Sequence, residues 1–433
     1  MKWTGPFRLS DDERDIAWIE EGARVTISEG WVFTDRIELR GLSGGKVERN
    51  FYRSGFKKDW DQEGQPFLYN AIQRMIRAGM FASDRVARIL KQGGPDAVLA
   101  EVERLQSDSN YLKRVYYSAL LKQAQLAPAQ LGRVLDQVAK TISSDYDKAV
   151  LLVQILEEGP LNDEQKVLVA RAAKGIGSDY EQRRVLSALL TESPLSPAAA
   201  AAALEATESI NSAYDRSLVL RALAEKGAIT PQMSARFMAA VSSMSSAYEQ
   251  RRVLAAVADS ATLPEQVALD SVKTAASISS AYDKRQVLSA YLARKDVTPR
   301  VASETLASAA TITSSHDKAQ VLREVIAGNG VNEHTVSTFM TAATSITSSY
   351  DLSQVLSALA ARPRLPDSVL IPLLHATTSV TSSYDRANLL LAVMKHQSLS
   401  AASRQAFVDA AQGISSAHDQ NRVLAELVRV ERR

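Results

Sequence analysis

A four-residue phrase, Ser-x-(Tyr/His)-(Asp/Glu), recurs from Ser109 almost to the C-terminus, and it constrains the fold more than anything else in the chain. Its aromatic position is held by Tyr111, Tyr146, Tyr180, Tyr214, Tyr248, Tyr282, His316, Tyr350, Tyr384 and His418. The first step is 35 residues and the other eight are 34. A period this strict marks one supersecondary unit stacked on copies of itself, not a single globular core.

Each unit opens with a helix-start signal. The serine, at Ser109, Ser144, Ser178, Ser212, Ser246, Ser280, Ser314, Ser348, Ser382 and Ser416, is placed to be an N-cap. Three residues on stands an acid: Asp147, Glu181, Asp215, Glu249, Asp283, Asp317, Asp351, Asp385 and Asp419, with Leu112 departing in the first unit. This spacing reads as a capping box, in which the serine oxygen accepts from the N3 amide and the carboxylate reaches back to the N-cap amide. The acid also suits the positive end of the helix dipole.

Apolar residues follow five, six and nine positions past the aromatic, as in Val185, Leu186 and Leu189, or Val287, Leu288 and Tyr291. They make one face of a helix of about four turns, helix A. A second start signal follows. Ser196-Pro197, Thr230-Pro231 and Thr298-Pro299 pair an N-cap with an N1 proline, and Asn162, Asn332 and Ser400 hold the same cap position without proline. Helix B then runs to an alanine-rich end. An apolar residue closes each unit before the next cap: Ile142, Ile176, Ile210, Met244, Ile278, Ile312, Ile346, Val380 and Ile414. The expectation is a mainly α protein, a right-handed α-solenoid of about ten two-helix repeats over residues 106–433, the last a half-repeat. At about 8–10 Å between helix axes, it forms a curved rod on the order of 100 Å long.

The first 105 residues have a different grammar. All four tryptophans (Trp3, Trp18, Trp31, Trp60) lie in the first 60 residues. Residues 23–28, 32–39 and 47–52 alternate with period two and predict an antiparallel meander of three or four strands over residues 1–64. Residues 65–105 read as a helical connector. Over 65–79, Phe67, Leu68, Ile72, Met75 and Ile76 fall on one helical stripe that can cover the sheet. Further helices are expected near 83–91 and 95–105, parted by Gly93-Gly94-Pro95.

Bulk properties exclude several functions. The chain has no cysteine, which removes disulfides, thiolate metal sites and thiol catalysis. Net charge is +2 and evenly spread, with 17 basic and 17 acidic residues in positions 1–105 and 34 against 32 in the rest, so no phosphate-seeking block stands out. No apolar run reaches the roughly 20 residues of a membrane span. The N-terminus lacks a signal-peptide h-region, so the chain is expected to be cytoplasmic, or periplasmic if a signal or anchor has been removed.

The 34-residue helical hairpin resembles tetratricopeptide and HEAT-like repeats in architecture, without the tryptophan and Leu-Gly signature of the former. DNA-reading effector repeats share the length, but their variable base-reading pair has no counterpart here. Residues 142–151 and 176–186 are more similar to bacterial units reading I-x-S-D-Y-E-x-x-x-V-L. The segment Asp11-Asp12-Glu13-Arg14-Asp15-Ile16 resembles the D-D-x-x-D-I element that precedes such arrays. That resemblance covers nearly the whole chain. It implies the extracytoplasmic part of an envelope regulator, including regulators with a membrane metallopeptidase portion. No catalytic residue carries over.

No residue set announces a chemistry, and no catalytic, cofactor-binding or metal-binding residue is assigned. Gly41-Leu42-Ser43-Gly44-Gly45 matches G-x-S-x-G but is flanked by strands on both sides, so it reads as a hairpin turn and not a nucleophile elbow. His316 and His418 read as planar substitutes for tyrosine. The pairs Arg183-Arg184, Arg251-Arg252 and Lys284-Arg285 raise nucleic-acid binding, but acids are interspersed and stacking aromatics do not accompany them. The repeated tyrosines could line a peptide or glycan groove. The preferred explanation is packing on the preceding repeat, with the hydroxyl hydrogen-bonded at the rim. The functional expectation is a non-enzymatic scaffold that binds protein or peptide along the solenoid, with neither cofactor nor nucleic acid as partner. The alternatives are a sensory or regulatory module of a larger membrane-anchored regulator whose catalytic part is absent, and a nucleic-acid-binding helical repeat.

Overall fold

The computed structural model describes residues 1–30, 34–105, 109–192 and 195–431, and divides into two compact units, Met1–Pro160 and Leu161–Arg433.

In the first unit, β1 (Lys2–Thr4) is followed by a two-stranded antiparallel ribbon of β2 (Phe7–Leu9) and β3 (Ile16–Ile19). Strands β4 (Arg24–Glu29), β5 (Asp35–Gly41), β6 (Val47–Arg53) and β7 (Phe56–Lys58) join β1 in an antiparallel sheet of order β1-β4-β5-β6-β7. The sheet is wider than the sequence suggests because β1 and β7 are three residues each, too short to show a period. Val32 and Phe33, expected to start the middle strand, lie outside the described residues. Alternation places Val25, Ile27, Ile37, Leu39 and Phe51 inward, with Ile37 opposite both Ile27 and Phe51. Gly41 is held to glycine by close approach, since a Cβ there would stand 2.1 Å from the Glu20 carbonyl oxygen.

Helix α1 (Gln65–Arg77) covers that face with Leu68, Ile72 and Ile76, and Phe67 and Met75 pack at its margin. Each such buried side chain contributes roughly 1.5–3 kcal/mol. Helix α2 (Ala82–Arg104) unites the two short helices expected from sequence, with a break at Gly94, whose φ of 68° and ψ of −170° are non-helical. Next come α3 (Asn110–Gln123), α4 (Pro128–Thr141) and α5 (Asp145–Glu157). Arg85 of α2 is buried among charges: it pairs with Glu13 at 2.5 Å and Glu101 at 3.1 Å and donates to the Tyr116 hydroxyl. Burial is the strongest single influence and opposes its charge, but its hydrogen bonds to Glu13 and Tyr116 and its electrostatic attraction to both together hold its pKa above the usual range.

In the second unit the repeats alternate strictly. The B helices are α6 (Asp163–Lys174), α8 (Pro197–Thr207), α10 (Pro231–Ser242), α12 (Glu265–Ala275), α14 (Pro299–Ala310), α16 (Val336–Thr344), α18 (Asp367–Ala376) and α20 (Ala401–Gln412). The A helices are α7 (Asp179–Thr191), α9 (Ala213–Glu225), α11 (Ala247–Ala258), α13 (Ala281–Leu292), α15 (Ser315–Ala327), α17 (Ser349–Ala360), α19 (Ser383–His396) and α21 (Ala417–Glu431). Each A helix packs on the next A helix and each B helix on the next B, which is an α-solenoid of two helical layers. The closing residues from Ile142 to Ile414 are all buried, as is the apolar stripe of helix A apart from the half-buried Leu424 of α21. Helix α16 starts late. Asn332 does not cap it, because its carboxamide oxygen accepts from the His334 amide in a tight turn and Thr335 becomes the N-cap.

Candidate binding surface

The ten serines do cap their helices. Each Oγ accepts from the N3 amide at 3.2–3.4 Å. The acids do not complete the expected box. Aspartate is one methylene shorter than glutamate, and in four repeats an arginine of the preceding A helix takes it up. Arg114 pairs with Asp147 at 2.5 Å, Arg183 with Asp215 at 2.6 Å, Arg251 with Asp283 at 2.7 Å, and Arg285 with Asp317 at 2.8 Å. Each bond ties one repeat to the next. Ser217 does the same for Glu249 through a 2.5 Å hydrogen bond. Glu181, Glu249 and Asp419 pair with the arginine three residues on in their own helix.

At Ser212, Ser348, Ser382 and Ser416 the N-cap amide finds its acceptor in the preceding repeat. Asp179 accepts from the Asn211 and Ser212 amides at 3.0 and 2.8 Å. Ser315, Ser349 and Ser383 accept from the amides of Ser348, Ser382 and Ser416, each at 3.3 Å. The residue after the acid caps the far end of a helix B. Lys284 and Lys318 donate to the carbonyls of Thr311 and Ser345, and Arg386 to that of Gly413. Burial pushes the pKa of Lys284 and Lys318 down. The basic pairs noted in the sequence are thus engaged within the stack.

The aromatic position is where expectation and structure part. The eight tyrosines of the motif are 50–63% exposed, and His316 and His418 are exposed too. They are not packed away on the preceding repeat. The sequence stripe at five, six and nine residues past the tyrosine takes the core contacts and leaves the tyrosine on the outer side of helix A. Tyr291, on the stripe itself, shows the contrast: it is fully buried, its hydroxyl donates to Ser271 at 2.6 Å, and burial raises its pKa.

Arginines set the rings. The Arg183 guanidinium lies 4.9 Å from the Tyr180 ring centre, Arg251 4.9 Å from Tyr248, and Arg285 5.1 Å from Tyr282. In the first unit Arg114 lies 5.1 Å from Tyr111. These are the arginines that pair with the next repeat's aspartate, so each forms a ring–guanidinium–carboxylate triad. A cleft of about 480 Å³ opens between α9 and α11, lined by Arg221, Arg251, Arg252, Ala255, Ala256 and Asp259 among others. Within the second unit successive A helices are neighbours and carry the motif aromatic at the same position, so the tyrosines, with His316 and His418, follow one another from helix to helix at the usual interaxial spacing of about 8–10 Å.

Elsewhere, Ser43 sits in a short 3-10 turn (Ser43–Gly45) between β5 and β6. Among the described residues no group of three or more histidines and carboxylates is placed to hold a metal, and no helix is long and apolar enough to cross a membrane. No protein-family model matches the sequence, and no curated protein matches it.

Proposed function

We propose that this chain is a non-enzymatic scaffold that binds protein or peptide along the tyrosine row of its A helices. The observation that carries the reading is the repeated, half-exposed tyrosine at a position the core does not need. Tyrosine and arginine are the side chains most enriched at protein interfaces. A tyrosine fixes only two side-chain torsions on binding and offers both an apolar face and a hydroxyl. The stacked arginines pre-orient several of these rings, which lowers the ordering cost of association. A setting in the bacterial envelope or in signalling, drawn from the repeat resemblance, belongs to the same proposal.

The test is selection of peptides from a random display library on the immobilised full chain. Enriched peptides should lose at least about tenfold in affinity against a Tyr248→Ser/Tyr282→Ser variant. Enrichment that is absent, or indifferent to those substitutions, would contradict the reading.

A further inference from the structure

The row has a pitch, and pitch selects ligands. We infer that the occupant of the tyrosine row in the second unit is a proline-rich segment in the polyproline II conformation, with a basic residue seated at the carboxylates of Asp351 and Asp385. This rests on the peptide-binding reading above.

A polyproline II helix rises about 3.1 Å per residue with three residues per turn, so the same face returns every ~9.3 Å. Neighbouring A helices set the rungs about 8–10 Å apart. One prolyl ring can therefore meet one motif side chain at each rung, a tyrosine at most of them and a histidine at His316 and His418. A β-strand covers about 10 Å in three residues, but its side chains alternate and it would show opposite faces to successive rungs. An amphipathic α-helix seeks an apolar groove. This row is one ring wide and bordered by hydroxyls, including the exposed pairs Ser349–Thr381 at 2.6 Å and Ser383–Ser415 at 2.8 Å. The solvated backbone of polyproline II offers free carbonyls to such donors.

Charge gives the ligand a direction. From Tyr180 to Tyr282 guanidinium groups lie against several rings, and the acids of the next helices, Asp215, Asp283 and Asp317, are neutralised by them; further on, Arg422 lies 6.0 Å from the Tyr384 ring centre but pairs with Asp419 and not with Asp385. At Asp351 and Asp385 the preceding helix offers Ala319 and Ser353 in place of arginine. Among the described residues neither carboxylate has an ion-pair partner. A lysine or arginine in the ligand complements this end, and an acidic residue does not.

The experiment is fluorescence anisotropy on the full chain with labelled peptides of about twelve residues, four rungs at three residues each. The set comprises a proline-rich peptide with arginine at one end, the same peptide with glutamate there, a Gly/Ser peptide with the arginine, and an Ala-based helical peptide; a chito-oligosaccharide is titrated in parallel. The arginine-bearing proline peptide is expected to bind about tenfold or more tighter than the Gly/Ser peptide. Tyr282→Ser/Tyr350→Ser should remove that binding, Tyr→Phe at the same positions should retain most of it, and Asp351→Asn/Asp385→Asn should abolish the preference for arginine over glutamate. Circular dichroism of each variant confirms that the helices remain. If the Gly/Ser or helical peptide binds at the tyrosines as tightly as the proline peptide, the conformation inferred here is wrong and the peptide-binding reading stands. If only the oligosaccharide binds, or nothing does, both fall.

Discussion

The repeats from Tyr180 to Tyr282 and those from His316 to His418 share a period, a cap and a core, yet they lock neighbour to neighbour by different chemistry. In the first stretch the residue after the cap is alanine in three of four helices (Ala213, Ala247, Ala281), and the lock is an arginine or serine three past the tyrosine reaching the next acid. In the second stretch that residue is serine (Ser315, Ser349, Ser383), and its hydroxyl accepts from the next N-cap amide. Among the described residues of these two stretches, only the helix with Asp179 and Arg183 uses both. One register can thus be fixed in two ways. The choice decides what lies beside several exposed rings: a guanidinium at Tyr180, Tyr248 and Tyr282, and hydroxyls with an unpaired carboxylate at Tyr350, while Tyr384 has Arg422 of the last helix 6.0 Å from its ring centre.

The largest expected effect tests whether the difference stops at the surface. Phe237 in α10 and Phe339 in α16 are both fully buried. Each Phe→Ala change should lower unfolding free energy by about 3–5 kcal/mol, nearly equally. Denaturant titration would show whether one stretch tolerates its loss; a gap of several kcal/mol would mean that the cores differ too. Next, Asp283→Ala should cost about 1.5 kcal/mol, because it strands the partly buried Arg251, whereas Asp351→Ala removes little beyond a dipole contact of about 0.5 kcal/mol. Equal losses in chemical denaturation would erase the distinction between the two locks. The caps are common to both stretches, so Ser280→Ala and Ser348→Ala should each cost about 1 kcal/mol. A melting temperature untouched by either change would remove the serine from the account.

The smallest effect is a pH dependence. Lys284 and Lys318 have folded-state pKa values below those of the unfolded chain, because burial disfavours their charge. Between the folded and unfolded values the unfolded chain binds more protons, so these groups make stability rise with pH as it nears the ordinary lysine range. Lys284→Met should flatten that rise in urea titrations at alkaline pH, and an unchanged slope would show that the ammonium is effectively solvated.

Much of this was legible in the chain. The period, the serine caps, the closing apolar residue and the buried stripe all follow from spacing, and each is found where spacing puts it. The exposure of the tyrosine can be read from the same spacing, although the expectation drawn from the sequence is packing on the preceding repeat. At 3.6 residues per turn, positions five, six and nine beyond it centre nearly opposite to it on the helix. The acid's partner was harder to see. It stands 32 or 33 residues earlier, and only the stacking of neighbours brings Arg251 to Asp283 or Arg114 to Asp147. The Arg85 hub was not legible, because Glu13, Glu101 and Tyr116 come from separate elements with no periodic relation. The short strands β1 and β7 escaped for want of length.

The central claim is that the tyrosines of the row serve a surface and not the core. The most direct test is the melting temperature of a Tyr214→Ser/Tyr248→Ser/Tyr350→Ser variant set beside that of Phe237→Ala. The three exposed rings together should cost less than the one buried phenylalanine. A triple variant that melts well below Phe237→Ala would place those rings in the packing of the solenoid and contradict the account.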